Sequence, residues 1–340
     1  MSIIHSVDVC CGLNWGDEAK GKIVAQLAKS KKYSFVCRWS GGHNAGHTVY
    51  VNGNKYKTHI VPCGIFYDIP SIIGPDCVVN IEKFYQEINY LKENGFNTNL
   101  IKISHKAHIV TEKHIQDDKH FYTEQGTTNN GIAPCYSDKY ARKGKQAIDC
   151  IEIMEYLWDD LLFGNVLCEG AQGFWLDINE GNYPFVTSST TLPYGACSLG
   201  FPPQLIHNIY GASKIYDTRV GTDPDFPETL LEDKELALIA ETGNEYGVTT
   251  GRKRKVNWLN VDKLIKAINK SGTTIVIISK IDVLEKTNLF KFSYKKELHQ
   301  FVSSEHMKST IEIIIKKNCL LVHTILFSSD VEFVHNLHVK

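Results

Sequence analysis

A phosphate-cradle pattern set between a strand and a helix limits what this chain can fold into more than any other feature. Residues 3–13 (IIHSVDVCCGL) form a short β-rich run, and residues 16–29 (GDEAKGKIVAQLAK) carry helical periodicity. The turn between them, Gly16-Asp17-Glu18-Ala19-Lys20-Gly21-Lys22, fits G-x-x-x-x-G-K in the strand-to-helix context that gives the pattern meaning. Backbone N–H groups at a helix N-terminus favour anions, and the lysines add charge. The hydroxyl that holds Mg²⁺ in a Walker-type loop is missing, because Ile23 follows Lys22. Asp17 is then the candidate oxygen donor for a metal. Read without a ligand, the same residues are a solvated helix start with charge pairs.

The rest of the chain continues the alternation. Short buried-strand candidates recur at 33–39, 70–74, 106–110, 165–169, 205–216 and 273–282, with helix candidates at 81–95, 147–162 and 260–272. This predicts an α/β fold that is P-loop-like, with a mostly parallel central sheet flanked by helices and long active-site loops. With 340 residues and neither repeat nor linker, one domain over 1–340 is expected. A formal net charge of −1 gives no global field for nucleic acid or an anionic membrane. No run reaches the ~18 apolar residues of a membrane span. The first residues lack a basic n-region, and the ten cysteines include no C-x-x-C pair. The cysteines therefore read as small buried hydrophobes, and the expected compartment is a reducing cytoplasm.

Three further segments carry chemistry. Gly41-Gly42-His43-Asn44-Ala45-Gly46-His47-Thr48 allows close backbone approach to a ligand, and a free histidine near phosphates can donate a proton where charge develops. A plain structural turn would use the same residues. Lys280-x-Asp282 after the strand TIVIIS has the form of a guanine reader, in which a carboxylate accepts from the base N1–H and 2-amino groups. Two solvated charges at a strand end are the bland alternative. The run TTGRKRK (249–255) sets four cations beside a glycine and two hydroxyls, and would otherwise be a basic face.

WGDEAKGK, then GGHNAGHT about twenty residues later, then HIVPCGIF together resemble the N-terminal signature of adenylosuccinate synthetase. Further blocks follow in that family's order: GTTNNGI (126–132), YARKG (140–144), EGAQG (169–173), YPFVTSS (183–189), TRVG (218–221), GVTTGRKRK (247–255) and SKID (279–282). The resemblance spans about 8 to 285 and implies GTP-dependent ligation of L-aspartate to IMP, giving adenylosuccinate, GDP and phosphate. It assigns GTP to Gly16, Asp17, Glu18, Ala19, Lys20, Gly21, Lys22, Gly46, His47, Thr48, Arg254, Lys280 and Asp282. IMP falls to Asp17, Lys20, Asn44, His47, Thr128, Arg142, Gln172, Thr187 and Arg252, and aspartate to Val248, Thr249, Thr250, Gly251, Arg252 and Arg254. Asp17 and His47 become the catalytic pair, and Asp17 with the Gly46 carbonyl the holders of one Mg²⁺. A homodimer is implied too, with Arg142 reaching the partner's IMP.

The chain departs from that pattern in places. Ala19 stands where glycine is usual and Asn130 where arginine is common. The segment TDPDFPETL (222–230) replaces the usual sequence after TRVG, and the tail around Ser328, where a second guanine contact is expected, matches poorly. The nearest rival is a viral relative that joins aspartate to dGMP; such enzymes tend to lose the loop aspartate, which is present here. A GTP-binding regulatory module without ligase activity is a rival from another class, but it would leave His47 and the arginine-rich loop without a task.

Overall fold

The computed structural model describes residues 3–121, 127–158, 161–246, 251 and 253–337. The first half runs β1 (Ile4–Gly12), α1 (Lys20–Lys29), β2 (Phe35–Gly41), β3 (His47–Val51), β4 (Asn54–Thr58), β5 (Ser71–Val79), α2 (Ile81–Glu93), β6 (Ile101–Ser104), β7 (His108–Ile109), α3 (Glu112–Phe121) and α4 (Ile132–Tyr140). It continues through β8 (Leu157–Trp158), β9 (Gly164–Glu169), β10 (Ile206–Lys214), β11 (Tyr216–Arg219), α5 (Lys234–Thr242), β12 (Lys255–Asn260) and α6 (Val261–Ser271). The chain ends with β13 (Ile275–Ser279), α7 (Ile281–Thr287), β14 (Lys291–Tyr294), β15 (Glu297–Gln300), α8 (Ser304–Asn318) and β16 (Thr324–Ser328).

The main sheet has the order β16-β13-β10-β1-β9-β2-β5-β6-β8, with β7 also beside β5, and its ladders are parallel. Its inner strands are mostly buried on both faces, as in helix-covered parallel sheets, while the edge strand β16 is half-buried. Alternate side chains therefore feed two different cores. Cys11, Cys37, Cys168, Val276 and Ile278 join one face with α6 and α8. Cys10, Val36, Leu167, Ile275 and Ile277 join the other with α1 and α2. All ten cysteines are free and nine are buried, as their apolar surroundings predicted. Among the described residues no helix is long and apolar enough to cross a membrane.

Local signals explain most boundaries. Asn80 and Asn260 cap α2 and α6 by accepting from the backbone N–H of Lys83 and Lys263 (2.9 and 3.0 Å), and Gly272 ends α6 in the left-handed region. Asn52 and Gly53, both at positive φ, turn the β3–β4 hairpin. The run at 205–216 divides at Ile215: β10 stays in the main sheet, while β11 enters a second sheet with β12, β14 and β15. Over the described residues, the helix expected at 147–162 does not form. Short 3₁₀ turns occupy Ala147–Asp149 and Ile151–Tyr156, followed by β8. Within and between those turns Ala147, Cys150 and Ile153 are the buried residues, every third one, which is the 3₁₀ period and not the α period.

Candidate active site

A cavity of about 730 Å³ opens along the C-terminal ends of the parallel strands. Its centre is the loop after β1. Gly16, Asp17 and Ala19 all have positive φ (92°, 61° and 67°), which turns successive N–H groups toward one side. Ala19 precedes α1 without a side-chain cap, leaving the first-turn N–H groups for a ligand. Glu18 organises the loop from within. It is fully buried and accepts from the backbone N–H of Asn14 (3.1 Å) and Gly16 (2.8 Å) and from Lys20 Nζ (2.6 Å). A Cβ on Gly173 would lie 2.4 Å from Glu18 Oε1, so that glycine makes room for the strut.

Lys22 faces the neighbouring strand ends. It donates to Ser328 Oγ (2.9 Å) and the Asp330 carbonyl (2.7 Å), and burial pulls its ammonium down to about 8. The poorly matching tail is therefore held against the phosphate loop, and Gln26 fastens it further through paired bonds with the Val334 backbone. Lys280 sits at φ 71° and donates to the Gly243 carbonyl (3.0 Å), while Asp282 pairs with Lys286 (2.9 Å). Ser279 lies opposite Ser328 in the β13–β16 ladder, so both expected guanine-side segments share one end of the cavity.

His47 begins β3 and is nearly buried where it lines the cavity, against α1. Its Nδ1 meets Glu169 Oε1, which Arg38 also contacts at 2.6 Å; the Cys63 backbone N–H donates to Glu169 Oε2 at 2.6 Å. Arg38 and His47 hold the Glu169 carboxyl down at about 2, against the effect of burial. Both bases thus donate to one carboxylate, and their 3.0 Å separation follows from that convergence. Nδ1 is fixed as the donor, leaving Nε2 as the cavity-side nitrogen. Burial and Arg38 lower the His47 pKa, and Glu169 opposes them. His47, Cys63 and Glu169 have metal-ligand chemistry, but Glu169 already carries a guanidinium and a backbone N–H. Gly21 lets α1 approach, since a Cβ there would lie 2.8 Å from His47 Cβ.

A second carboxylate organises the mouth. Buried Glu245 accepts from Arg254 Nη1 (2.5 Å), Tyr216 Oη (2.6 Å) and Lys214 Nζ (3.2 Å), and the cations Lys214 and Arg254 hold it down at about 2 despite burial. Arg254 reaches from it to Asp17 Oδ2 (2.7 Å). The backbone N–H of Arg254 also bonds to the Glu245 carbonyl, closing the base of the segment between them. Gly251 of that segment lines the cavity. Val248, Thr249, Thr250 and Arg252 lie outside the described residues.

Asn44, Gly46, Thr48, Thr128, Gln172 and Thr187 line the same cavity, together with every expected residue from Gly16 to Lys22. Gln172 is the plainest sign of a binding site: both ends of its amide are buried with no hydrogen-bond partner among the described residues. The Thr218 and Ser279 hydroxyls share that state in the cavity wall, and sequence reasoning did not single them out. It also missed Arg38, Glu169, Lys214 and Glu245. Arg38 could have been found as the charge inside the apolar run YSFVCRW, and Glu169 heads the EGAQG block; Glu245 carries no comparable signal. Arg142 alone among the described expected residues lies outside the cavity, exposed on the surface. The divergent segment 222–230 is pinned in place, with Asp223 accepting from Trp15 Nε1 (3.1 Å) and Phe226 packed edge-on against the Trp15 ring.

Comparison with known proteins identifies the family. The family model described as adenylosuccinate synthetase matches residues 9–163 and 151–320. Adenylosuccinate synthetase of Shouchella clausii is 36% identical, covering 91% of this chain and 86% of its own. That of Streptococcus gordonii is 33% identical, covering 97% and 89%. The fully ligated adenylosuccinate synthetase of Plasmodium falciparum superposes with a TM-score of 0.80 at 28% identity, over 95% of this chain and 97% of that one. The succinoaminodeoxyadenylate synthetase of cyanophage S-2L, bound to dGMP and dATP, is similar in fold alone, with a TM-score of 0.67 at 16% identity.

Proposed function

Because the chain belongs to the adenylosuccinate synthetase family, and so is a ligase that forms a C–N bond, we propose that it joins L-aspartate to IMP with GTP as the energy donor. The observation that carries the proposal is one cavity lined at once by the phosphate loop, the Lys280/Asp282 pair, His47 and the partnerless amide of Gln172. In this reading Asp282 accepts from the guanine N1–H and 2-amino groups, which adenine lacks. Lys20, Lys22 and the open N–H groups of α1 take the phosphates. Asp17 accepts the N1 proton of IMP, and the 6-oxygen attacks the γ-phosphorus as the bond to GDP breaks. His47, protonated when anionic phosphate reaches Nε2, donates to the oxygen where charge builds. The aspartate amine then adds at C6 and expels phosphate.

Asp17 and the Gly46 carbonyl suit Mg²⁺: they are hard oxygen donors lining the same cavity, and Arg254 engages Asp17 through one oxygen, Oδ2. Bound there, the ion would neutralise phosphate charge. The direct test is turnover with IMP and dGMP in parallel, each with GTP or ATP. Product with IMP and GTP supports the proposal; product with dGMP alone moves the chain to the viral reaction. GTP binding without aspartate-dependent turnover favours a regulatory module.

Two expected results extend it. With Lys22 near 8 in the free protein, it is charged below that pH and loses its proton above it. GTP affinity measured by titration calorimetry should fall as pH rises through about 8. A flat profile across that range, or one unchanged in Lys22→Met, would remove Lys22 from the phosphate site. Arg142 bears on the homodimer. It occupies the left-handed position after α4, with its N–H bonded to the Lys139 carbonyl and that of Lys143 to Asp138, a closure that favours glycine. Arg142→Gly should gain roughly 0.5–1 kcal/mol in stability and lose turnover. If Arg142 serves a partner's site, mixing that variant with Asp17→Ala restores up to about a quarter of wild-type activity. Two variants that stay inactive when mixed would argue against shared sites.

A further inference from the structure

Lys83 stands where a lysine is unfavourable. It lies in the first turn of α2, whose N-terminal dipole repels a cation, and burial pulls its ammonium below the usual lysine value. Its Nζ contacts Asn130 Oδ1, and Asn130, 6% exposed, passes Nδ2 to Thr128 Oγ1 at 3.0 Å. Hydrogen-bond polarity makes this chain directional. An ammonium only donates, so the amide oxygen of Asn130 must face Lys83 and its NH₂ must face Thr128. Thr128 Oγ1 then accepts, and its own hydroxyl hydrogen is left to donate elsewhere. Thr128 lines the cavity, so that donor is available to an anionic oxygen there.

We propose that Lys83 is a positioning residue for the phosphate monoester of the nucleotide substrate, acting through Asn130 to turn the Thr128 hydroxyl outward as a donor. This rests on the nucleotide reading of the cavity and adds to it a charge that does not itself line the cavity. Lys83 also brings positive charge behind Thr128, at one remove. The arrangement makes Asn130→Asp an inversion. A carboxylate there still pairs with Lys83 but cannot donate to Thr128, so the hydroxyl turns back to bond the carboxylate and the outward donor disappears.

The experiment is calorimetric binding of IMP and of inosine, which lacks the phosphate, to the full chain and to Thr128→Val, Asn130→Asp, Lys83→Met and Lys83→Arg. Melting midpoints confirm that each variant is folded. Thr128→Val and Asn130→Asp are each expected to weaken IMP about tenfold or more. Lys83→Met should weaken it about threefold to tenfold, and Lys83→Arg, which also only donates, should stay near wild type. Inosine affinity should be unchanged throughout, whereas a merely structural role for these residues would move both ligands together. Normal IMP binding by Asn130→Asp and Lys83→Met, with Thr128→Val weakened, overturns the relay and leaves the nucleotide reading standing. Normal IMP binding by Thr128→Val overturns the assignment of Thr128, and the relay with it.

Discussion

Asp17→Asn is expected to fold like the wild type and to lose turnover by roughly a thousandfold or more. The substitution keeps the shape of the side chain and the left-handed loop position, which asparagine tolerates. Asp17 is about one-third exposed at the cavity mouth, and Arg254, its ion-pair partner, stays anchored to buried Glu245. The structural penalty is therefore small, about 1 kcal/mol or less for a partly exposed pair. The chemical penalty is large, because an amide cannot accept the N1 proton of IMP and is a poorer oxygen donor to a metal. Steady-state kinetics with a melting curve on the same sample separate the two. Activity within tenfold of wild type would dismiss Asp17 as the base.

Glu169→Ala is expected to act on stability first. It removes the carboxylate that Arg38, His47 and the Cys63 backbone share, leaving a fully buried guanidinium without its counter-charge. Breaking a buried pair in this way costs about 3–5 kcal/mol. The pH dependence follows from the sign of the shift. Glu169 is held at about 2, below its ordinary 4.5, so its stabilisation is complete above 4.5 and is lost as pH falls toward 2. The gap between wild type and Glu169→Ala in denaturant midpoint should be widest near neutrality and narrow below about 4.5. Glu169→Gln keeps the volume and tests the catalytic side, with kcat expected to fall roughly a hundredfold as His47 loses its fixed orientation. A gap that ignores pH, or normal kcat in Glu169→Gln, would contradict the dyad.

The phosphate loop was legible because its chemistry is local: glycines, lysines and the strand-to-helix context lie within some twenty residues. The same holds for His47, Lys280 and Asp282, each set in a short motif, and all three line the cavity. Residues that act through distant partners were not legible. Glu245 and Lys214 meet across 31 positions, and Arg38 meets Glu169 across 131, so no spacing rule could pair them. The segment at 147–162 misled for a different reason. Its apolar content suits a helix, but burial falls on every third residue from Ala147 to Ile153, and β8 begins at Leu157. Residues 222–230 depart from the family pattern yet are fixed, because Asp223 and Phe226 both anchor on Trp15.

In the proposed reaction IMP is activated by phosphorylation of its 6-oxygen before aspartate attacks. The most direct measurement supplies IMP labelled with ¹⁸O at that position, together with Mg²⁺, GTP and aspartate, and follows the label by mass spectrometry. The oxygen is expected to leave with the γ-phosphoryl group, so the released phosphate carries the label in step with adenylosuccinate formed. Adenylosuccinate appearing with unlabelled phosphate, the label having passed to water, would contradict it.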